Sequence, residues 1–170
     1  MGVAARPWRP DAVDAAERID WPESFGRRFL VSVDVEEEFD WSAPLDPRHR
    51  STSAMRAFGP AHRRFAAAGV GLHCLVDYPV VVDPAAVAIL SECLEDGRSE
   101  IGAQLHAWVT PPHQEVVDPF TSHAGNLPCT LEAAKLDCLT DAIAQAFGQR
   151  PRMFRSGRYG LGPSSLSLLA

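Results

Sequence analysis

The sequence predicts an α/β fold, in the form of a partial, distorted (β/α) TIM-like barrel. Short runs of β-branched apolar residues alternate along the chain with longer segments of helical periodicity, as they do in right-handed parallel βαβ units. A dinucleotide-binding fold is disfavoured because no G-x-G-x-x-G turn follows the first predicted strand. A barrel is favoured because ionisable residues stand at or near the C-terminal ends of the predicted strands, where barrel enzymes carry their catalytic groups. These residues are Asp34, Glu36, Asp77, His106 and Arg155.

The first element is a strand over residues 29–35, "FLVSVDV". Strand side chains alternate between the two faces, so Val33 and Val35 would lie on one face and Asp34 and Glu36 on the other. The two carboxylates would be roughly 7 Å apart at the backbone. The acidic residues that follow, Glu37, Glu38 and Asp40, are predicted to lie in a solvated loop.

The first two helices are predicted from the residues at their ends. The segment "STSAMRAFGPAHRRFAAAG" has apolar residues at helical spacing and Gly69 as its stop, and Pro60 predicts a kink or a late start. A strand over residues 71–80 follows. Asp83 then caps a second helix that ends at Gly97.

A third strand is predicted over residues 100–109 and a third helix over residues 130–148. A fourth strand begins near residue 152 and runs into a glycine-rich turn. The chain then enters a further helical pattern, whereas a full (β/α)8 barrel takes about 250 residues. We therefore expect residues 28–170 to form the N-terminal part of a barrel.

Composition limits the function classes. The chain of 170 residues is 46% hydrophobic, as expected for one globular domain. Residues 1–27 show no sustained period and are interpreted as an N-terminal extension held down by Trp8 and Trp21. The formal charge of −6 argues against a nucleic-acid partner.

The sequence also predicts a cytoplasmic protein with reduced cysteines. No apolar run approaches the roughly 20 residues of a membrane span, and no secretory leader is recognisable, so a cytoplasmic location is expected. None of the cysteines forms a C-x-x-C pair, and they are interpreted as reduced residues, three of them on buried faces. They are Cys74, Cys93, Cys129 and Cys138.

Three segments, "SVDVEE", "EIGAQLHAWVTPP" and "FRSGRYG", stand in this order and are separated by helical stretches. In order and spacing they resemble the first three motifs of the NodB-type polysaccharide deacetylases (carbohydrate esterase family four), closest to the WalW-like branch. The resemblance spans about residues 28–163. It implies a distorted (β/α) barrel and metal-dependent removal of acetyl from an N-acetylated sugar.

The resemblance also implies roles for individual residues. Asp34 matches the catalytic base and Glu36 an acidic metal ligand, while Arg155 matches the arginine that pairs with the base and holds it ionised. Tyr159 resembles the residue whose backbone N–H binds the developing oxyanion. Gly157 would let the backbone approach the substrate closely, and Arg158 beside it is predicted to bind substrate.

On the third strand, Gln104, His106 and Trp108 would share one face. His106 is interpreted as a metal ligand, with a hydrogen-bonded core histidine as the alternative. Gln104 stands where relatives carry their first metal histidine, and an amide is a weaker ligand for zinc-like ions than imidazole. Trp108 stands where more distant relatives have a second histidine, and we expect it to contact substrate. His113 is expected to be a surface loop residue.

The sequence therefore predicts an amide hydrolase acting on an acetylated carbohydrate with a divalent metal, zinc first and cobalt or nickel as alternatives. The family's general acid is a later histidine, and no histidine follows His123 in this chain. One rival hypothesis is a non-catalytic carbohydrate-binding or regulatory relative. A second is a metal-free glycosidase that pairs Asp34 with another carboxylate.

Overall fold

The structure is a computed structural model that describes residues 14–170. Its centre is a four-stranded sheet in the order β1-β2-β3-β4, in which every neighbouring pair is parallel. The sheet is curled like half of a barrel, which confirms the α/β class; a complete TIM-like barrel stays a prediction. The strands are β1 (Ser32–Val35), β2 (His73–Val76), β3 (Glu100–Leu105) and β4 (Phe154–Ser156).

Helices connect the strands, as the sequence predicts for parallel pairing. The predicted helices correspond to α1, α3, α4 and α5, whereas the short helix α2 after β2 was not predicted. Among the helices of residues 14–170, none combines the length and the apolar character needed to cross a membrane. The helices are α1 (Phe58–Ala67), α2 (Tyr78–Val81), α3 (Pro84–Leu94), α4 (Cys129–Phe147) and α5 (Ser165–Leu169).

The helix boundaries follow from local chemistry. Asp77 caps α2 by accepting a hydrogen bond from the Val80 amide at 3.0 Å, and Asp83 caps α3 through the Ala85 amide at 2.9 Å. Pro60 lies in the first turn of α1, so the late helix start is confirmed. The α4 helix ends at Phe147 and is followed by Gly148, which has a left-handed φ of 77°.

The core lies between the sheet and the helices. Cys74 and Val76 of β2 are fully buried, and so are Leu139 and Ile143 of α4. Leu136 of α4 is also buried in the core, while Phe147 at the end of the helix is only partly buried. Burial of such side chains contributes about 1.5–3 kcal/mol each.

Two sequence predictions need correction. Trp21 does not anchor the N-terminal segment in the core: it is 61% exposed and stacks on Phe25 with a ring-centroid distance of 4.4 Å. Trp8 lies outside the described residues. The third strand ends at Leu105, because the Val109 and Thr110 amides donate to the His106 carbonyl and close a turn.

All four cysteines are free, as predicted. Cys74 and Cys93 are buried, Cys138 is partly buried and Cys129 is exposed. Burial raises the pKa of the Cys74 thiol to about 12, so this sulfur is unreactive at neutral pH.

Candidate active site

The carboxyl-terminal ends of the parallel strands meet at one edge of the sheet and form a cavity of about 180 Å³, the acidic pocket. The register of β3 and β4 sets Gln104 directly beside Arg155. Asp34 lies on β1, the outer strand at the opposite side of the sheet, beside Leu75 of β2. The pocket is lined by Asp34, Glu36, Trp41, Gln104, His106, Arg155, Ser156, Arg158 and Tyr159. The strand ends thus bring Asp34, Glu36, His106 and Arg155 into one pocket, as predicted, whereas Asp77 is not among its lining residues.

Asp34 and Arg155 form an ion pair with an N–O distance of 3.1 Å. Both side chains are about one-third exposed, at 34% and 32%, so the carboxylate is open to the pocket. Arg155 also donates a hydrogen bond to the Tyr159 hydroxyl at 3.1 Å. These two contacts fix the direction of the guanidinium toward Asp34.

Glu36, Gln104 and His106, the three predicted metal ligands, lie together. Oε2 of Glu36 is 3.4 Å from Nε2 of His106, and the Gln104 amide nitrogen lies 2.9 Å from Oε2 of Glu36 and 3.3 Å from Nε2 of His106. The amide thus donates to both acceptors. The Gln104 carbonyl oxygen is buried without a hydrogen-bond partner.

Glu37 contradicts the prediction of a solvated loop. It is 2% exposed, and its Oε2 lies 2.8 Å from Nδ1 of His106. Asp77, fully buried at the end of β2, accepts a hydrogen bond from the Glu37 amide at 2.8 Å and lies 3.7 Å from His106 Nδ1. The strand ends at Val35, so Glu37 does lie in the loop after β1, but its side chain is buried against His106.

Glu37, Asp77 and His106 form a buried group that could hold a metal ion, since one ligand atom from each lies within 4.8 Å of the others. The same contacts also orient the imidazole. Two carboxyl groups face Nδ1, and Asp77 already accepts hydrogen bonds from backbone amides. A proton on Nδ1 is therefore stabilised, and the Nε2 lone pair is directed toward the Glu36 side.

Burial controls protonation in this cluster. Desolvation lowers the pKa of His106, although nearby Asp77 and Glu36 oppose the shift, so the ring is neutral at pH 7. Desolvation raises the pKa of Glu37 and raises that of Asp77 well above its ordinary value. Glu36, nearer to the surface, also has a raised pKa because of burial.

The His106 ring is held from several sides. Trp108 stacks on it at 4.3 Å between centroids, and Phe39 meets its edge at 5.8 Å. Trp108 is only 1% exposed, so it supports the histidine and does not offer the substrate contact predicted for it. Gly157 is buried against the same ring: a Cβ built on it would lie 2.4 Å from His106 Cδ2. The missing side chain thus leaves room for the His106 ring. It does not have the expected role of bringing the backbone close to the substrate.

Arg158 and Tyr159 follow β4 with left-handed φ angles of 55° and 56°, which are uncommon for residues other than glycine. Arg158 donates to the Ser122 hydroxyl at 2.5 Å, and its guanidinium lies 5.8 Å from the centre of the Trp41 ring. Tyr159 is 82% exposed. Its backbone N–H as an oxyanion donor stays a prediction, as does substrate binding by Arg158.

The remaining polar predictions fall on the surface. Glu38 and Asp40 are exposed, as predicted, and Glu38 accepts hydrogen bonds from Ser51 and Ser53. His113 is exposed and contacts Arg50. It therefore does not join the acidic pocket.

Lys135 is a site-supporting residue that the sequence prediction missed. It is 0% exposed on α4 and donates to the backbone carbonyls of Ala107 and Thr110 at 2.9 and 2.6 Å. Its Nζ also lies 2.8 Å from a Glu115 carboxylate oxygen. A charged residue among the apolar positions of an amphipathic helix was the available signal.

The donor set around His106 fits a divalent cation. Glu36 supplies a carboxylate and His106 an Nε2 lone pair, the ligand types that zinc, cobalt and nickel prefer. A half-turn of the Gln104 amide would direct its unpartnered buried oxygen toward the same point. That oxygen would be the weakest ligand of the three.

Comparison of the chain with protein-family models, with curated proteins and with solved structures returned no match.

Proposed function

We propose that this chain carries the hydrolytic site of a polysaccharide-deacetylase-like enzyme, which removes acetyl from the nitrogen of an acetylated carbohydrate. One observation carries the proposal: Asp34, held by Arg155 at 3.1 Å, opens into the same pocket as Glu36 and His106. The resemblance of the three sequence segments to deacetylase motifs supports the same reaction. A half-barrel with its site at the strand ends supports the proposed TIM-like architecture.

Asp34 is the proposed general base. A water molecule next to it loses a proton to the carboxylate while its oxygen attacks the acetamide carbonyl carbon. Arg155 keeps the carboxylate turned toward the pocket. Departure of the amine then requires a proton, for which the protonated Asp34 is the donor available among the described residues of the pocket.

Glu36, His106 and Gln104 would hold the divalent cation of this proposal, with zinc the first candidate. When bound, such a cation polarises the substrate carbonyl and makes water a better nucleophile. Glu37 keeps the proton of His106 on Nδ1, which leaves Nε2 free for the pocket.

The test is acetate release from the N-acetylglucosamine tetramer by the purified chain, with zinc, cobalt or nickel added. Asp34→Asn keeps the size of the side chain but removes the base, so the rate should fall by about 10²–10⁴-fold. Asp40→Asn is the matched control, because Asp40 is an exposed carboxylate outside the pocket. No release with any of the three metals, or equal rates for both variants, contradicts the proposal.

A second candidate function is a carbohydrate-binding relative without catalysis. It is favoured by the Gln104 amide, which donates to Glu36 and to His106 at 2.9 and 3.3 Å and so satisfies both acceptors as a cation would. Metal analysis of the protein purified without chelator separates the two candidates. Stoichiometric metal supports the enzyme, whereas sugar binding that is unchanged by EDTA and accompanied by no acetate release supports the binding protein.

A further inference from the structure

Two arginines line the acidic pocket, and they differ in their partners. Arg155 is paired with Asp34, whereas Arg158 forms no ion pair within residues 14–170. The charge of Arg158 is therefore left without an anionic partner from the protein at the place where substrate would bind. An unpaired guanidinium in a pocket is suited to a ligand that brings a negative group of its own.

The Arg158 side chain is held in place by groups that carry no charge. Its Nη1 donates to the Ser122 hydroxyl at 2.5 Å. Ser122 is 1% exposed and donates in turn to the Pro119 carbonyl at 2.9 Å. The guanidinium carbon lies 5.8 Å from the centre of the Trp41 ring, within the range of a cation–π contact. These contacts orient the guanidinium and leave its charge uncompensated.

The backbone that carries Arg158 is fixed as well. Its left-handed φ of 55° is a sparsely populated conformation that persists only where the surrounding structure imposes it. Two residues further on, the Gly160 carbonyl accepts a hydrogen bond from the Gly125 amide at 2.7 Å. The loop after β4 is thus tied to the segment that contains Ser122, so the position of Arg158 is set before a ligand binds.

Two donors of the Arg158 guanidinium remain available. Within residues 14–170 the side chain donates only through Nη1, to Ser122, which leaves Nε and Nη2 without an acceptor from the described part of the chain. These two nitrogens lie on the same side of the planar group, and their parallel N–H bonds match the two oxygens of a carboxylate. A ligand carboxylate would therefore bind in bidentate fashion without displacing Ser122.

The other charges near the pocket do not cancel this preference. The Asp34 carboxylate is already paired with Arg155 at 3.1 Å. Glu36 accepts a hydrogen bond from Gln104 at 2.9 Å and is assigned to the divalent cation of the proposed function. The net charge of −6 is spread over the whole chain, and charges beyond about 8 Å are largely screened at physiological ionic strength.

The size of the pocket limits where the ligand carries its carboxylate. The cavity is only about 180 Å³, below the roughly 300–1,000 Å³ of drug-sized sites. In a uronic acid the carboxylate replaces the exocyclic hydroxymethyl group of the sugar, so it adds charge without a further substituent. A compact acidic sugar of this kind suits the pocket better than one with an added acidic side chain.

We propose that the substrate is an acetamido uronic acid, whose carboxylate binds to Nε and Nη2 of Arg158. This inference rests on the proposed function, because it takes an acetylated sugar as the molecule that enters the acidic pocket. Arg158 is then a specificity-determining residue that selects acidic over neutral acetylated sugars, and it takes no part in proton transfer.

The test compares two matched pairs of sugars by calorimetric titration of the full chain: N-acetylglucosamine with N-acetylglucosaminuronic acid, and N-acetylgalactosamine with N-acetylgalactosaminuronic acid. Zinc is present in every titration, so any contact between carboxylate and metal is common to all variants. In at least one pair we expect the acidic sugar to bind at least tenfold more tightly, as a bidentate charged contact implies.

Arg158→Gln should reduce this acid preference to within about twofold, because glutamine has neither the charge nor the paired donors. Binding of the neutral sugar should change by less than about threefold, whereas a merely structural role of Arg158 would weaken both sugars alike. Arg64→Gln is the matched control, because Arg64 is an exposed arginine of α1 outside the pocket. It should keep the full preference.

A second measurement uses the wild type and does not depend on the folding of a variant. The NMR resonance of the Arg158 Nε–H proton should move downfield with the acidic sugar, whose carboxylate accepts that proton, and should move little with the neutral one. The inference is overturned if no acidic sugar binds more tightly than its neutral partner, or if no sugar binds. It is also overturned if Arg158→Gln keeps the preference or if the Nε–H resonance does not respond to the acidic sugar.

Acetate release separates this inference from the proposed function. Acid-selective binding through Arg158, without acetate release under any added metal, supports the role of Arg158 and refutes the hydrolase. Release at equal rates from the acidic and the neutral sugar supports the hydrolase and refutes the selectivity.

Discussion

The amide nitrogen of Gln104 lies 2.9 Å from Oε2 of Glu36 and donates a hydrogen bond to it. The same nitrogen is 3.3 Å from Nε2 of His106. Two groups suited to bind a cation are thus joined by a neutral donor. Metal affinity at this point should depend on position 104 more than on any exposed residue.

Gln104→His should raise the affinity for zinc at least tenfold, about 1.4 kcal/mol. Imidazole is a stronger ligand for such ions than an amide oxygen, and the new ring would face Glu36 and His106. Titration with zinc or cobalt, calorimetric or competitive, checks this. His106→Ala serves as the reference and should abolish binding; tight wild-type binding that Gln104→His leaves unchanged would place residue 104 outside the metal site.

Glu37→Gln, made in the Gln104→His background, should lower zinc affinity by about 10–100-fold, the usual effect of losing a carboxylate partner of a metal-binding histidine. Glutamine is neutral and cannot stabilise the Nδ1 proton as well as the buried carboxylate at 2.8 Å does. Nitrogen NMR shifts of His106 should also show a larger share of the Nε2-protonated ring.

Glu38→Gln is the matched control for this pair, because Glu38 is the exposed neighbour in sequence. Its zinc affinity and its His106 spectrum should match the parent. If Glu37→Gln also matches the parent, Glu37 does not orient the imidazole.

Gly157→Ala should destabilise the protein by about 1–3 kcal/mol, as overpacking does. The added methyl would lie 2.4 Å from His106 Cδ2 and 2.5 Å from the Leu105 carbonyl oxygen, so the histidine has to move. Urea unfolding measures the loss. Gly59→Ala on α1 is the comparison: its nearest contact would be 3.6 Å, and alanine favours a helix by up to about 1 kcal/mol. Equal stabilities of the two variants would show that the His106 ring adapts freely.

Glu132 should make stability fall as pH rises. Burial raises its pKa above the ordinary 4.5, against the opposing hydrogen bond from Ser165. The folded chain therefore holds this proton more tightly than the unfolded chain, and stability is lost as pH rises from about 4.5 through the raised pKa. Glu132→Gln cannot ionise and should lose less stability over that window.

Urea unfolding of the wild type and of Glu132→Gln between pH 4 and pH 8 tests the direction of this pH dependence. The free energy of unfolding of Glu132→Gln, relative to that of the wild type, should increase as pH rises. Glu92→Gln, at an exposed position of α3, is the control for removing one carboxylate. If the free energies of unfolding of the wild type and of Glu132→Gln change with pH in parallel, Glu132 is not the source of the pH dependence.

Much of the site was predictable because it depends on strand parity and on the common direction of parallel strands. Asp34 follows a run of alternating residues, and Arg155 stands on a strand whose end reaches the same edge, so a shared pocket could be predicted. Their direct pairing was expected only from the resemblance to the deacetylase motifs. Gln104 and His106 were predictable on the same grounds. The three long helices were predictable from caps and glycine stops, as at Asp83 and Gly148.

The parts that were not predictable lie where regular structure ends. Glu37 is two residues beyond β1, where the backbone leaves the sheet and alternation gives no information. Trp108 lies within the turn that the Val109 and Thr110 amides close on the His106 carbonyl, so its face could not be predicted from the strand pattern. The α2 helix is only four residues long, although Asp77 and the proline at position 79 were usable signals for its start.

The buried ammonium of Lys135 joins α4 to the segment that carries Ala107 and Thr110. That segment begins next to His106, so the backbone beside the imidazole cannot shift without withdrawing a charged group from its carbonyl partners. The helix and this loop should therefore move as one rigid body. The exposed loops that carry Trp41 and Tyr159 would then be the parts that move to accommodate ligands of different size.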